Sequence, residues 1–199
     1  MKTIHYYLTP KSPWTYLGHE RLLAIAQRHG ATVEPRPMGL SESIFPASGG
    51  LPLNQRPPQR QAYRLVELKR WSEHLGLPLN LHPEFFPVDD VDAAKMVAAA
   101  VQLEGNDAAL RLAGGLLRGV WAQERDISDP QTLIQIGNEC KLDGQALYSG
   151  REAAAALYER YTREALALQV FGAPWYEYEG ASFWGQDRLD FLDRALAEK

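Results

Sequence analysis

Sulfur is scarce in this chain. Its 199 residues include one cysteine, Cys140, so no internal disulfide can form. That usage fits a reducing compartment, and the expected location is the cytoplasm. With no partner thiol, Cys140 reads as a small buried residue. No apolar run approaches the ~20 residues needed to span a bilayer. Met1-Lys2-Thr3-Ile4-His5 runs straight into a strand pattern, without the signature of a signal peptide. Excess positive charge is also missing. The formal charge of -4 argues against a nucleic-acid or anionic-membrane surface. The histidines His5, His19, His29, His74 and His82 lack metal-ligand spacing, and no metal site is expected. There is no internal repeat and no low-complexity tract. What remains is an ordinary globular composition, 45% hydrophobic and 23% charged, large enough for a real core.

The most informative stretch is the first strand-to-helix turn, Leu8 to Gly18 (LTPKSPWTYLG). Thr3–Leu8 is β-branched and aromatic, which suits a strand. Tyr16, Leu17, Leu22, Leu23 and Ile25 then recur at roughly helical spacing. Pro13 suits a first helical turn, because its missing N–H would have no intrahelical partner there. The turn therefore delivers the Ser12 hydroxyl to a helix N-terminus, where free N–H groups and the helix dipole favour a negative charge. Ser12 reads either as a plain N-cap or as a donor to a bound anion.

Further along, a helix from about Thr15 to His29 stops at Gly30, and Thr32–Met38 is a second strand with an irregular edge imposed by Pro35 and Pro37. A strand–helix–strand unit of this length implies parallel pairing. Gly39 to Pro58 is a long Gly-, Pro- and Ser-rich loop, either functional or a mere connector. Helical patterns follow over Arg60–Leu75, Ala93–Leu103, Ala108–Ala122, Asp129–Ile136 and Arg151–Leu168. Gly114, Gly115 and Gly119 weaken the third of these by about 1 kcal/mol each relative to Ala, which points to close packing there. Strand character returns in an aromatic hairpin, Trp175–Glu179 and Ser182–Trp184, turning at Gly180-Ala181. Gly185-Gln186-Asp187-Arg188 opens a last helix, with Asp187 suited to its dipole.

The order is β-α-β, a helical block, then β-β-α. One four-stranded sheet forms only if the two ends meet. The expected fold is α/β: residues 1–38 and 170–199 make a sheet domain, and 39–169 make an all-helical insertion.

Three motifs in this order resemble the glutathione transferase kappa class and the related 2-hydroxychromene-2-carboxylate isomerases. These are Ser12-Pro13-Trp14-Thr15-Tyr16-Leu17, Gly172-Ala173-Pro174 and Phe183-Trp184-Gly185-Gln186-Asp187-Arg188-Leu189. The resemblance covers essentially the whole chain. It implies a thioredoxin-like fold of the DsbA-like branch with a helical insertion. Redox members carry C-x-x-C at the first turn, where the helix N-terminus stabilises a thiolate. Here Ser12 and Thr15 hold that spacing, so dithiol chemistry is excluded and a bound cofactor, glutathione, would bring the sulfur.

By the same resemblance, Ser12 would hold the glutathione thiolate and Pro174 would be cis. The Ala173 backbone would pair with the tripeptide as an added strand does. Asp187 would take the γ-glutamyl ammonium, with Gln186 beside it. Asn54 falls where the family has a ligand-contacting Asn, and Trp184 is either a site wall or core. Trp14, Phe45, Phe85, Phe86 and Trp121 are candidate walls of a second, hydrophobic pocket for a small aromatic or electrophilic substrate. Ile44 stands where the isomerase has a substrate-binding Lys, with Arg56 or Arg60 as conceivable substitutes. Trp175 is bulkier than the Thr common in the family. A homodimer is implied by the resemblance alone. Isomerisation of an aromatic-catabolism intermediate and transferase conjugation of an electrophile both remain open, with a non-catalytic binding module as the third reading.

Overall fold

The computed structural model describes residues 2–198. Strand β1 (Thr3–Leu8) leads into helix α1 (Pro13–His29) and strand β2 (Thr32–Pro37). After a π-helical turn, Leu40–Ile44, come α2 (Phe45–Ser48), a 3-10 turn (Leu53–Gln55) and α3 (Pro58–Leu75). The helical block continues with α4 (Val91–Glu104), α5 (Asn106–Ala122), α6 (Pro130–Glu139), α7 (Gly144–Gly150) and α8 (Ala155–Ala167). Strands β3 (Trp175–Tyr178) and β4 (Ala181–Trp184), a 3-10 turn (Gln186–Arg188) and α9 (Leu189–Ala197) complete the chain.

The two ends meet in one four-stranded sheet of order β2-β1-β3-β4. β1 pairs parallel with β2 and antiparallel with β3, bringing Tyr7 opposite Trp175. Strand β2 lies at an edge, where the missing N–H groups of Pro35 and Pro37 disrupt no second ladder. Alternate β1 side chains go to opposite faces. Ile4, Tyr6 and Leu8 join a large core with α1, α4 and α5, whereas Tyr7 packs on the other face with Met38, Ile44, Val170 and Trp175.

Helix boundaries differ from expectation where local signals are weak. Helix α1 begins at Pro13, two residues early, because Ser12 caps it: its Oγ accepts from the Thr15 N–H at 3.2 Å. The loop expected over Gly39–Pro58 contains three short helical turns, which its prolines and glycines disguise. Helix α7 was not anticipated. Asp143 caps it, accepting from the Ala146 N–H at 2.9 Å, but its seven residues are too few to show a period. Residues 151–154 form turns rather than the start of α8. The glycines of α5 do mark close packing. A methyl group at Gly115 would come 2.6 Å from the Cys140 sulfur, and one at Gly114 would come 3.0 Å from the His19 ring.

Candidate functional site

The β1–α1 turn is held from below. Asp90 is 5% exposed, just before α4, and its carboxylate accepts from the Thr9 hydroxyl and, at 3.3 Å, from the Lys11 N–H. Its other oxygen lies 2.8 Å from the Lys11 ammonium. The Trp121 indole N–H donates to the Lys11 carbonyl at 3.2 Å. These bonds reach the turn from α4 and α5 and fix its backbone. Ser12, 6% exposed, then sits at the N-terminus of α1. Its hydroxyl donates to the Ala173 carbonyl at 3.4 Å, a long and weak bond.

The Ala173–Pro174 peptide is cis. The Pro174 carbonyl accepts from the Gly185 N–H at 2.9 Å, tying the β3 entry to the last turn. The Ala173 N–H makes no hydrogen bond among the described residues. Gly185 has φ 95° and ψ 152°, a region essentially restricted to glycine. A methyl group there would come 2.5 Å from Asp187 Oδ1. The Asp187 carboxylate therefore folds back over Gly185 and meets Arg188 at 2.6 Å.

These segments line one cleft of about 1130 Å³. Of the residues expected from sequence, Ser12, Trp14, Phe45, Asn54, Phe86, Ala173, Trp184, Gln186 and Asp187 lie along it. Pro174 does not; it is buried behind Ala173. Phe85 is outside the cleft and 39% exposed, because its neighbour Phe86 takes the inward position. Trp121 is fully buried and supports the turn instead of lining the cleft. Trp184 is half exposed, and its ring meets Phe171 edge-on at 4.6 Å as an open wall. Trp175 does not obstruct the cleft. Its indole N–H turns to Glu177 at 2.5 Å. Ile44 is fully buried in the smaller core, so its side chain does not reach a ligand.

Several lining residues escaped the sequence reading. Lys11, Arg64, Trp71 and Phe171 belong to the cleft, as do Arg56 and Arg60, the two substitutes named for the missing Lys. Only the i, i+4 spacing of Arg60 and Arg64 on α3 could have signalled that these two cations share one helix face, and nothing local adds Arg56, which precedes the helix in extended backbone. Burial and the adjacent Arg56 push the Arg64 guanidinium down to about 10, so it stays charged at neutral pH. Cys140 is half-buried, its thiol donating to the Arg111 carbonyl at 3.4 Å, and it is not on the cleft. No group of three or more metal-ligating side chains occurs among the described residues. Among the described residues no helix is long and apolar enough to cross a membrane.

A family model described as the DSBA-like thioredoxin domain matches residues 3–197. The chain belongs to the DSBA-like thioredoxin family. Within it, the chain is 29% identical over 199 residues to a 2-hydroxychromene-2-carboxylate isomerase of Sphingobium xenophagum, covering 99% of each. It is 23% identical to glutathione S-transferase kappa 1 of Homo sapiens, covering 100% of this chain and 92% of the relative. A solved 2-hydroxychromene-2-carboxylate isomerase superposes with a TM-score of 0.78 at 23% identity, covering 98% of this chain and 95% of that one. This last likeness speaks to the fold. The two named relatives support an enzyme of isomerase or transferase type. In this DSBA-like chain the first turn of α1 carries Ser12 and Thr15, with no sulfur.

Proposed function

We propose that the chain is a glutathione-dependent isomerase, similar to the 2-hydroxychromene-2-carboxylate isomerases, acting on an aromatic-catabolism intermediate through a thiolate held by Ser12. The observation that carries this is the buried Ser12 hydroxyl at the α1 N-terminus, lining the cleft, whose oxygen accepts the Thr15 N–H while its own proton is committed only to a 3.4 Å bond to the Ala173 carbonyl. A donor so weakly committed can turn to a sulfur anion at little cost.

The residues present fit a tripeptide thiol. The unpaired Ala173 N–H is available to an extended peptide, as in strand addition. Asp187 faces the cleft beside the N–H groups of the Gln186–Arg188 turn, a combination suited to an amino-acid ammonium and carboxylate. Asn54 also lines the cleft. Bound glutathione would supply a thiol nucleophile, regenerated after isomerisation or retained after conjugation. Ser12 would donate to the sulfur and favour its ionised form, while the α1 N-terminus adds favourable potential. The aromatic walls Trp14, Trp71 and Phe86 would hold a planar substrate against that sulfur.

A second reading, a kappa-like transferase, is favoured by Ile44. It is buried, at the position where the resemblance to the isomerases implies a substrate-binding Lys. Chromene-carboxylate isomerisation followed by absorbance, set against chlorodinitrobenzene conjugation, separates the two. Turnover of the carboxylate that requires glutathione without consuming it supports isomerisation. Conjugation alone supports the transferase, and failure to bind millimolar glutathione removes both.

A further inference from the structure

The cleft contains a half-buried cation with no anion partner among the described residues. Arg64, on α3, places its guanidinium carbon 5.2 Å from the Phe86 ring centre and 5.5 Å from that of Trp121. Those two rings lie 4.8 Å apart and form a shelf beneath it. Its Nη2 is shielded from solvent and has no hydrogen-bond partner. No carboxylate pairs with Arg64 among the described residues. The acid one turn away, Glu67, is taken by Arg70. Of the other charged residues lining the cleft, Arg56 acts on Arg64 with like charge. Arg56 stacks on Phe45 and gives its Nε–H to the Leu51 carbonyl at 2.8 Å, and it too has no acid partner among the described residues.

Holding a guanidinium here is unfavourable twice over. Burial strips water from it, and Arg56 repels it. The aromatic faces offset only part of that cost. A carboxylate entering the cleft would remove both penalties. The planar fork of Arg suits such a group, since it can present two parallel N–H donors.

We infer that Arg64 is the acid-recognition residue of the second-substrate pocket, receiving the carboxylate of a planar aromatic ligand while Phe86 and Trp121 hold the guanidinium in place. Calling that ligand the acceptor substrate rests on the glutathione-dependent reading; the anion seat itself does not. The same carboxylate chemistry is present on the glycine of glutathione, and the arms below separate the two sources.

Benzoate and its uncharged analogue benzamide are titrated calorimetrically into the glutathione-free protein. Benzoate is expected to bind about 10–100-fold more tightly than benzamide, the range for charge-assisted hydrogen bonds. Arg64→Met, which keeps the stem of the side chain, should reduce benzoate to the benzamide level. Arg64→Lys should fall between, having charge without the fork. Glutathione affinity should be unchanged in Arg64→Met. Equal benzoate and benzamide binding by the unaltered protein overturns the inference, whatever the variants do. So does benzoate binding that survives in Arg64→Met, or a parallel loss of glutathione, which would assign the seat to the tripeptide. If glutathione fails to bind while benzoate discrimination persists and depends on Arg64, the glutathione reading falls and the anion seat stands.

Discussion

The Ser12 hydroxyl donates to the Ala173 carbonyl at 3.4 Å although 161 residues separate the two in the chain. One contact thus joins the first turn of α1 to the segment entering β3. Both ends of the sequence contribute to the same site because β1 and β3 are neighbours in the sheet. The same Ser12 oxygen accepts the Thr15 N–H, so it serves helix and cleft together.

Ser12→Ala should therefore have two separable effects. Loss of the N-cap costs about 1 kcal/mol, a fall in Tm of roughly 2–4 °C for a chain of this size. Loss of the donor should lower turnover at neutral pH by about 10–100-fold and raise the pKa of bound glutathione. Thiolate ultraviolet absorbance across a pH titration reads the second effect directly. An unmoved thiol pKa would leave Ser12 a cap and nothing more.

Gly185→Ala tests the other end of the cleft. Its backbone region costs a non-glycine residue about 1–3 kcal/mol, and the new methyl would strike the Asp187 carboxylate. The variant should bind glutathione about tenfold more weakly, since about 1.4 kcal/mol is a factor of ten. Competition binding against a glutathione column checks this. Undiminished retention would detach Asp187 from tripeptide recognition.

Asp90→Ala removes the anchor beneath the turn. It strands the Lys11 ammonium and the Thr9 hydroxyl, both poorly exposed. Breaking such a pair from one side should cost about 3 kcal/mol, or roughly 6–12 °C in Tm. Thermal and urea unfolding measure the loss. A change below about 1 kcal/mol would mean that the turn is held mainly by the Trp121–Lys11 bond.

His19 should make stability fall in mild acid. It is buried against Leu110, whose carbonyl can only accept, so Nε2 carries the proton and donates at 3.1 Å. Nδ1 is then the acceptor for the Tyr6 hydroxyl at 3.3 Å. Burial pushes the imidazole below its ordinary value. A histidine near 6.5 in the unfolded chain takes up a proton before the folded one does, so the unfolded state gains as pH drops through that value. His19's contribution is complete above about pH 6.5 and declines below it until the lower folded pKa is passed. Urea midpoints measured from pH 8 to 5 should slope downward, and His19→Gln should flatten that slope. An unchanged slope would place the acid sensitivity elsewhere.

Much of the architecture was legible because its causes are local. β-branched and aromatic residues marked β1, and alternating aromatic residues marked the terminal hairpin. Gly30 marked the end of α1, adopting φ 60°, and Ser12-Pro13 marked its capping turn, although the helix begins two residues before the expected Thr15. Sequence also determined the chemistry that is absent: with one thiol, a dithiol cycle has no second sulfur.

The composition of the cleft required the fold. Phe85 and Phe86 are indistinguishable as residue types, and only the path of the backbone after Pro83 sends Phe86 to the cleft and Phe85 outward. Asp90 carries no local sign of its task, because its partners Thr9 and Lys11 lie 81 and 79 residues away. Arg64 looks like any surface cation on a polar helix until the Phe86 and Trp121 rings close beneath it. Helical period and capping depend on neighbours within a few residues and can be read along the chain. Burial and charge pairing depend on whichever distant segment arrives, and only the packed molecule decides that.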